Sequence, residues 1–196
     1  YHDVIKQMNE NLDARAIAFQ FPVGQEEDFK GIIDLMACKM YTFDENKTIV
    51  SDIPEEFKPK AREFKQQLVE CLADFNEEIL GLFLDDKEVP NELLKVAARE
   101  ATLKLLITPV FCGAAYKNKG IAQLLDAIVD YLPSPVDKGA VVGMDVGDDE
   151  KARHRNPSPK EPFSALAFKL IHDPYVGQQT FVRIYSGTVK SGMQLM

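Results

Sequence analysis

The sequence predicts an α/β or α+β body followed by the first strands of an all-β second domain. Three observations carry this. Apolar residues recur at helical spacing between Phe57 and Ile79 and again between Ile121 and Leu132. A short apolar run, Leu105-Leu106-Ile107 and then Val110-Phe111, breaks at Gly113 into a small-residue turn that opens into the second of these helices. Strand, small turn and helix is how α/β folds bring backbone N–H groups to a ligand, although the same arrangement occurs in every α/β domain. Beyond Pro162 the pattern changes to strands separated by Pro/Gly turns, the signature of a small barrel.

Taken in order, Val4, Ile5, Met8 and Leu12 mark a helix over residues 3–12. Ile17, Phe19, Phe21 and Val23 alternate with Ala18, Gln20 and Pro22 and predict one strand, with Pro22 at an edge or terminal position. After a turn at 24–28, residues 29–43 read as strand with a bend near Asp34. Asp44 to Lys47 is a turn, and Thr48-Ile-Val50 pairs back as a short strand. Phe57, Ala61, Phe64, Leu68, Leu72, Phe75 and Ile79 follow at steps of 4, 3, 4, 4, 3 and 4, one buried stripe on a helix or on two helices broken near Asn76. This aromatic stripe is flanked by acids rather than interleaved with bases, so it is core and not a nucleic-acid stacking platform. After a loop at 85–90, Asn91 is placed to cap a helix through Leu94, Ala97, Ala98, Ala101 and Leu105. The helix from Ile121 stops at Pro133-Ser-Pro135. Residues 136–162 read as linker or long loops around Ala140-Val-Val142. The β region then runs from Phe163 to Ile171, turns at 172–177, continues from Thr180 to Tyr185, and ends in Val189 and a strand-like 193–196.

Composition narrows the function classes. The chain has 196 residues, 45% hydrophobic and 28% charged, enough for one large or two small domains. No apolar run approaches the roughly 18 residues of a membrane helix, and no secretory signal pattern is visible. Tyr1 is not an initiator Met and the chain ends in a strand-like segment, so an internal fragment is expected. Cys38, Cys71 and Cys112 are far apart and outside any CxxC pair, which argues against a disulfide framework or zinc site and fits a reducing cytoplasm. His2, His154 and His172 form no ligand-spaced group. The net charge of -8 is uneven: residues 1–105 hold 22 acids and 13 bases, whereas 151–196 hold 2 acids and 7 bases. Either the acidic part is simply a solvated face, or the basic tail faces an anionic partner while the acidic part projects away.

No phosphate-loop, zinc-protease, nucleophile-elbow or EF-hand motif is present. Cys112 has no nearby His in sequence and reads as a small core residue at a strand end. His172 reads as a turn residue. Asn118-Lys119 resembles the start of the guanine-specific Asn-Lys-x-Asp motif, but Ile121 stands where the Asp must accept from the base. The residues alone supply no catalytic machinery.

Longer stretches carry a resemblance. Thr108-Pro-Val-Phe-Cys-Gly-Ala-Ala-Tyr-Lys-Asn-Lys-Gly120, with Leu124-Leu-Asp-Ala-Ile-Val-Asp-Tyr-Leu-Pro-Ser-Pro135, closely resembles elongation factor G, the bacterial translocation GTPase. So do Ala165-Leu-Ala-Phe-Lys-Leu-Ile-His-Asp-Pro-Tyr-Val-Gly177 and Phe181-Val-Arg-Ile-Tyr-Ser-Gly-Thr188, and in the first half Phe21-Pro-Val-Gly24 with Phe29-Lys-Gly-Ile-Ile-Asp-Leu35. The resemblance implies a P-loop GTPase domain fragment with an α+β insert, followed by the start of a β-barrel. Residues 1–12 would end a GTPase-domain helix, 13–105 form the insert subdomain, and 106–133 return as strand, guanine turn and terminal helix. Residues 134–160 would then be linker and 161–196 the start of the barrel.

By the same resemblance, Gly113, Ala114, Ala115 and Tyr116 form the guanine-contacting turn, whose backbone N–H groups reach the base O6. Ala114 replaces a serine common in the family. Lys117 either packs beside the base or sits on the surface. The parent would be a cytoplasmic, ribosome-dependent GTPase that drives tRNA and mRNA translocation in protein biosynthesis, with GTP or GDP and Mg²⁺ as its nucleotide and metal. Its partners would be the ribosomal stalk protein and ribosomal RNA, with neither membrane nor DNA implied. The phosphate loop, switches and Mg²⁺ ligands would lie upstream, so the fragment itself is expected to be inactive, without catalytic or metal-binding residues and without bound cofactor. Two alternatives stay open: an interaction module docking stalk protein and ribosomal RNA, and a divergent paralogue of the factor.

Overall fold

The computed structural model describes residues 1–44, 47–145 and 148–194. The chain divides into two units, Tyr1–Leu132 and Pro133–Met196. Within the first, the alternating residues 17–23 form two strands rather than the single one predicted. Helix α1, His2–Leu12, ends at Asp13 in the left-handed region, φ 49°. Strand β1, Ala16–Ala18, runs parallel to β6, Thr108–Val110, with Ala16 opposite Thr108. Strand β2, Gln20–Val23, starts a separate antiparallel sheet of order β2-β3-β4-β5. The change of sheet happens at Phe19. Its N–H donates to the Val110 carbonyl at 3.0 Å, and its carbonyl accepts from the Leu35 N–H at 3.0 Å. Pro22 sits on the edge strand, where its missing N–H leaves no gap in a ladder.

The predicted long strand 29–43 is a hairpin of β3, Gly31–Asp34, and β4, Lys39–Asp44. The bend expected near Asp34 is the start of its turn. The Asp34 Oδ1 accepts from the N–H groups of Met36 at 2.9 Å and Ala37 at 2.7 Å, the Asx geometry that substitutes for a ladder. The short strand expected at 48–50 is longer: β5 spans Lys47–Asp52 and pairs antiparallel with β4. Of the predicted turn between them, residues 45 and 46 lie outside the described residues.

The helical block is two helices, α2, Lys58–Ala73, and α3, Glu77–Leu84. The break falls at Asn76, whose side chain accepts from the Ile79 N–H at 3.0 Å and so satisfies one of the orphan donors of the new helix. Helix α4 is Asn91–Leu103, and here the expectation needs correction. Asn91 is not the cap, because the preceding Pro90 holds that position. The Asn91 Oδ1 instead accepts from the Lys65 Nζ at 2.6 Å. Leu105 is not on the helical stripe either; it lies past the helix end at φ 58° and is 88% exposed. Helix α5 spans Ile121–Tyr131.

One core joins these elements. Phe19, Phe21, Ile33, Leu68, Leu72, Ile79, Leu94 and Ala98 are buried together with Ala127 and Tyr131 of α5. The aromatic stripe is part of it: Phe64 stacks on Phe21 with centroids 5.3 Å apart. Phe19 meets the Tyr131 ring edge-on at 5.0 Å, a preferred geometry for the ring quadrupoles.

The second unit departs further from expectation. Residues 134–160 are not plain linker. They hold α6, Pro135–Lys138, with a Ser134–Asp137 capping box, and the hairpin of β7, Val141–Asp145, with β8, Asp148–Arg155. A second hairpin pairs β9, Ser164–Asp173, with β10, Gly177–Ser186. His172, expected in a turn, is on β9. The turn itself is held by the Asp173 Oδ1, which accepts from the N–H groups of Tyr175 at 2.8 Å and Val176 at 2.9 Å. These bonds hold the Asp173 carboxyl below the usual carboxylate range. Among the described residues the two hairpins are separate two-stranded sheets. Of the predicted last strand, Met193 and Gln194 are irregular and 195–196 lie outside the described residues.

Phe19→Ala is expected to destabilise the first unit by about 3–5 kcal/mol, the usual cost of emptying a buried aromatic site. Leu105→Ala is expected to stay within about 0.5 kcal/mol, as surface changes do. Urea unfolding of the two variants measures the difference.

Candidate functional site

The turn after β6 is a closed loop built from the backbone. The Ala114 N–H donates to the Lys119 carbonyl at 2.9 Å, and the Lys119 N–H returns a bond to the Ala114 carbonyl at 3.1 Å. Inside this bridge Ala115–Lys117 form a single 3₁₀ turn, and Asn118 takes the left-handed conformation, φ 51°. The Lys117 N–H bonds back to the Ala114 carbonyl at 3.0 Å, and that of Asn118 to the Ala115 carbonyl at 2.9 Å.

Two glycines make the loop possible. A Cβ on Gly113 would sit 2.7 Å from the Lys119 carbonyl oxygen. Gly120 has φ 81°, and a Cβ there would meet the Ile32 Cδ1 at 2.7 Å and the Cys112 carbonyl at 2.9 Å. Only glycine accepts that conformation and that approach at no steric cost. The loop is then tied to the four-stranded sheet. The Lys119 Nζ donates to the Phe29 carbonyl at 3.2 Å and lies 5.9 Å from the centroid of the Phe29 ring.

This geometry sorts the four residues singled out from sequence. Gly113 provides the close approach. The Ala114 N–H is already committed to Lys119, so it is not a donor for a ligand. Ala115 and Tyr116 open the 3₁₀ turn, where N–H groups have no intrahelical acceptor, and among the described residues they donate to nothing. Both are exposed, as is Lys117. The turn therefore presents two adjacent backbone donors, preceded by the small residues Gly113 and Ala114, at the end of a parallel strand. Sequence reasoning missed Lys119 and Gly120 as the residues that close the loop. The signal available was a glycine directly before a helix, which marks a left-handed residue at its start.

Other candidates take structural roles. Burial and the nearby Asp34 carboxylate push the Cys112 thiol up to about 12, which leaves it an inert thiol beside the core. Burial also pushes the Cys71 thiol up. Among the described residues no group of His, Cys, Asp or Glu could hold a metal ion, and no helix is long and apolar enough to cross a membrane.

No protein-family profile matches the chain. Among solved structures it is similar to the crystal structure of a Thermus thermophilus protein, with a TM-score of 0.72 and 24% identity over 98% of this chain. The chain spans 26% of the length of that protein. At this identity the likeness is one of fold.

Two proline substitutions separate the internal donor from the open one. Ala115→Pro removes an N–H that bonds nothing, after an Ala114 that is extended rather than helical (φ -126°, ψ 91°), so stability is expected to change by less than about 1 kcal/mol. Ala114→Pro removes the bond to Lys119 and forces φ away from its extended value, with an expected loss of about 1–3 kcal/mol. Urea unfolding midpoints at constant slope distinguish the two.

Proposed function

We propose that the chain is part of a ribosome-dependent translational GTPase of the elongation factor G type, in which the turn at Gly113–Tyr116 contacts the guanine base. The observation that carries this reading is the pair of unused backbone donors, Ala115 and Tyr116, held at a strand end by a loop in which the amides of Ala114, Lys117, Asn118 and Lys119 are satisfied internally. A guanine O6 accepts two such donors, and the small residues at 113–115 allow the chain to approach the ring plane. Ala114 supplies no hydroxyl, but the base contact rests on backbone groups and does not need one.

Two features outside the turn favour a larger GTPase domain around it. Strands β1 and β6 form a parallel pair of three residues each. Parallel sheets are normally larger and covered on both faces. The outer face of α5 also carries Leu125 and Val129, 58% and 77% exposed, as a helix packed against further structure would. The fold likeness to a protein about four times as long is compatible with this setting.

Phosphoryl transfer is positioning and electrostatic stabilisation by a phosphate cradle, Mg²⁺ and switch residues. None of those motifs occurs in these 196 residues. GTP, Mg²⁺ and hydrolysis therefore belong to the parent protein in this proposal. The parent's cytoplasmic setting, its ribosomal partners and its role in translocation follow from the same reading. The excess of bases in 151–196 is what a surface facing ribosomal RNA would carry, since cation–phosphate contacts dominate such affinity.

The coding sequence directly upstream of Tyr1 is expected to contain Asn-Lys-x-Asp; an unrelated sequence there contradicts the proposal. In calorimetry the 196-residue chain is expected to give no saturable heat with GDP at micromolar concentration. Micromolar binding would show that these residues hold the nucleotide without the upstream parts.

A further inference from the structure

A side-chain cluster at the β3–β4 turn has no part in the nucleotide reading and does not rest on it. Cys38 closes that turn at φ 53°, in the left-handed region that glycine and asparagine favour. A cysteine held there is a departure that local preference does not explain. Its thiol donates to the Leu35 carbonyl at 3.5 Å. The Lys65 Nζ, from α2, approaches the same sulfur at 3.1 Å.

Lys65 is itself held in place. The Asn91 Oδ1 accepts from its Nζ at 2.6 Å, and the Asn91 Nδ2 lies 3.8 Å from the Cys38 Sγ. The side chain that sequence places as the cap of α4 instead fixes an amine against a thiol. Cys38 and Lys65 are both half-buried. They line a cavity of about 390 Å³ together with Leu35, Ile53, Ala61 and Arg62. At roughly 30 Å³ per water, this cavity has ample room for a small polar oxidant. The other two cysteines differ. Among the described residues neither donates to or accepts from an amine, and burial pushes both thiols up.

We propose that Cys38 and Lys65 form a covalent sulfur–nitrogen link when the protein meets hydrogen peroxide. In the first step the sulfur attacks one peroxide oxygen. An S–O bond forms, the O–O bond breaks, and the second oxygen leaves as water with the thiol proton. Sulfur loses two electrons to the peroxide and becomes a sulfenic acid. In the second step the Lys65 nitrogen, having given one proton to solvent, attacks the sulfenic sulfur. An S–N bond forms, the S–O bond breaks, and the hydroxyl leaves as water with a second amine proton. Sulfenic acids condense in this way with a nearby thiol or backbone nitrogen. Here the nucleophile in reach is the lysine amine. The product staples the turn to α2 across 27 positions of sequence, a cross-link that removes freedom from the unfolded chain.

The test is peroxide treatment of the folded chain, followed by intact-mass and peptide mass spectrometry. The link is expected as a loss of about 2 Da, with the Cys38 peptide joined to the Lys65 peptide and released by dithiothreitol. Cys71→Ala with Cys112→Ala leaves Cys38 the one thiol, and the loss is expected to persist there. Peptide mapping of the unsubstituted chain reads the same link without any substitution. Lys65→Arg keeps a cation but lacks the amine, so a gain of about 16 Da and trapping by dimedone are expected instead. Oxidation is expected to raise the urea midpoint of the unsubstituted chain and not that of Lys65→Arg. A Cys38 joined to Cys71 or Cys112, a Cys38 thiol still free after peroxide, or dimedone trapping as complete in the unsubstituted chain as in Lys65→Arg would each overturn the assignment.

Discussion

Phe19 is the residue on which the first unit depends. Its N–H belongs to the parallel pair through Val110, and its carbonyl belongs to the four-stranded sheet through Leu35. Its fully buried ring fills the space between the two sheets and meets Tyr131 of α5. Burying such a ring contributes about 1.5–3 kcal/mol by area alone. The two backbone bonds add direction that apolar burial does not have. They fix where β6 ends, and therefore where the turn after it begins.

The turn inherits this placement and is locked a second time from the other side. Lys119 reaches the Phe29 carbonyl, and Gly120 sits against the Ile32 side chain, both belonging to the β2–β3 arm of the antiparallel sheet. A loop held at both ends by packed sheets keeps its unused donors in place without a ligand. That is the pre-organisation a base-contacting turn needs, because little ordering cost is left for the moment of binding. Helix α5 leaves the same loop, and its Tyr131 ring packs edge-on against Phe19.

How much of this was legible in the sequence depended on whether the deciding contact was local. The break between α2 and α3 could be read because Asn76 caps through a residue three positions on. The Asn91 cap failed because Lys65, distant in sequence, captured its side chain and Pro90 took the cap position. The sheet change at Phe19 was hidden because alternation continues unbroken on both sides of it, and period alone does not say which partner each half pairs with. The β7–β8 hairpin was hidden because β8 reads Asp-Asp-Glu-Lys-Ala-Arg-His-Arg, with no apolar face to reveal a strand. At the turn, the four residues were found from their sequence, but not that Ala114 is spent on Lys119, since that bond exists only once the loop has closed.

Native-state hydrogen exchange at the Phe19 and Leu35 amides addresses the clamp most directly, because these N–H groups make its two ties. If Phe19 holds both sheets in one cooperative unit, the two amides exchange with the same opening free energy, equal to that for unfolding the first unit. A distinctly lower value for Leu35 and its neighbours in β3, with Phe19 still protected, would mean that the antiparallel sheet opens on its own, and would contradict the clamp.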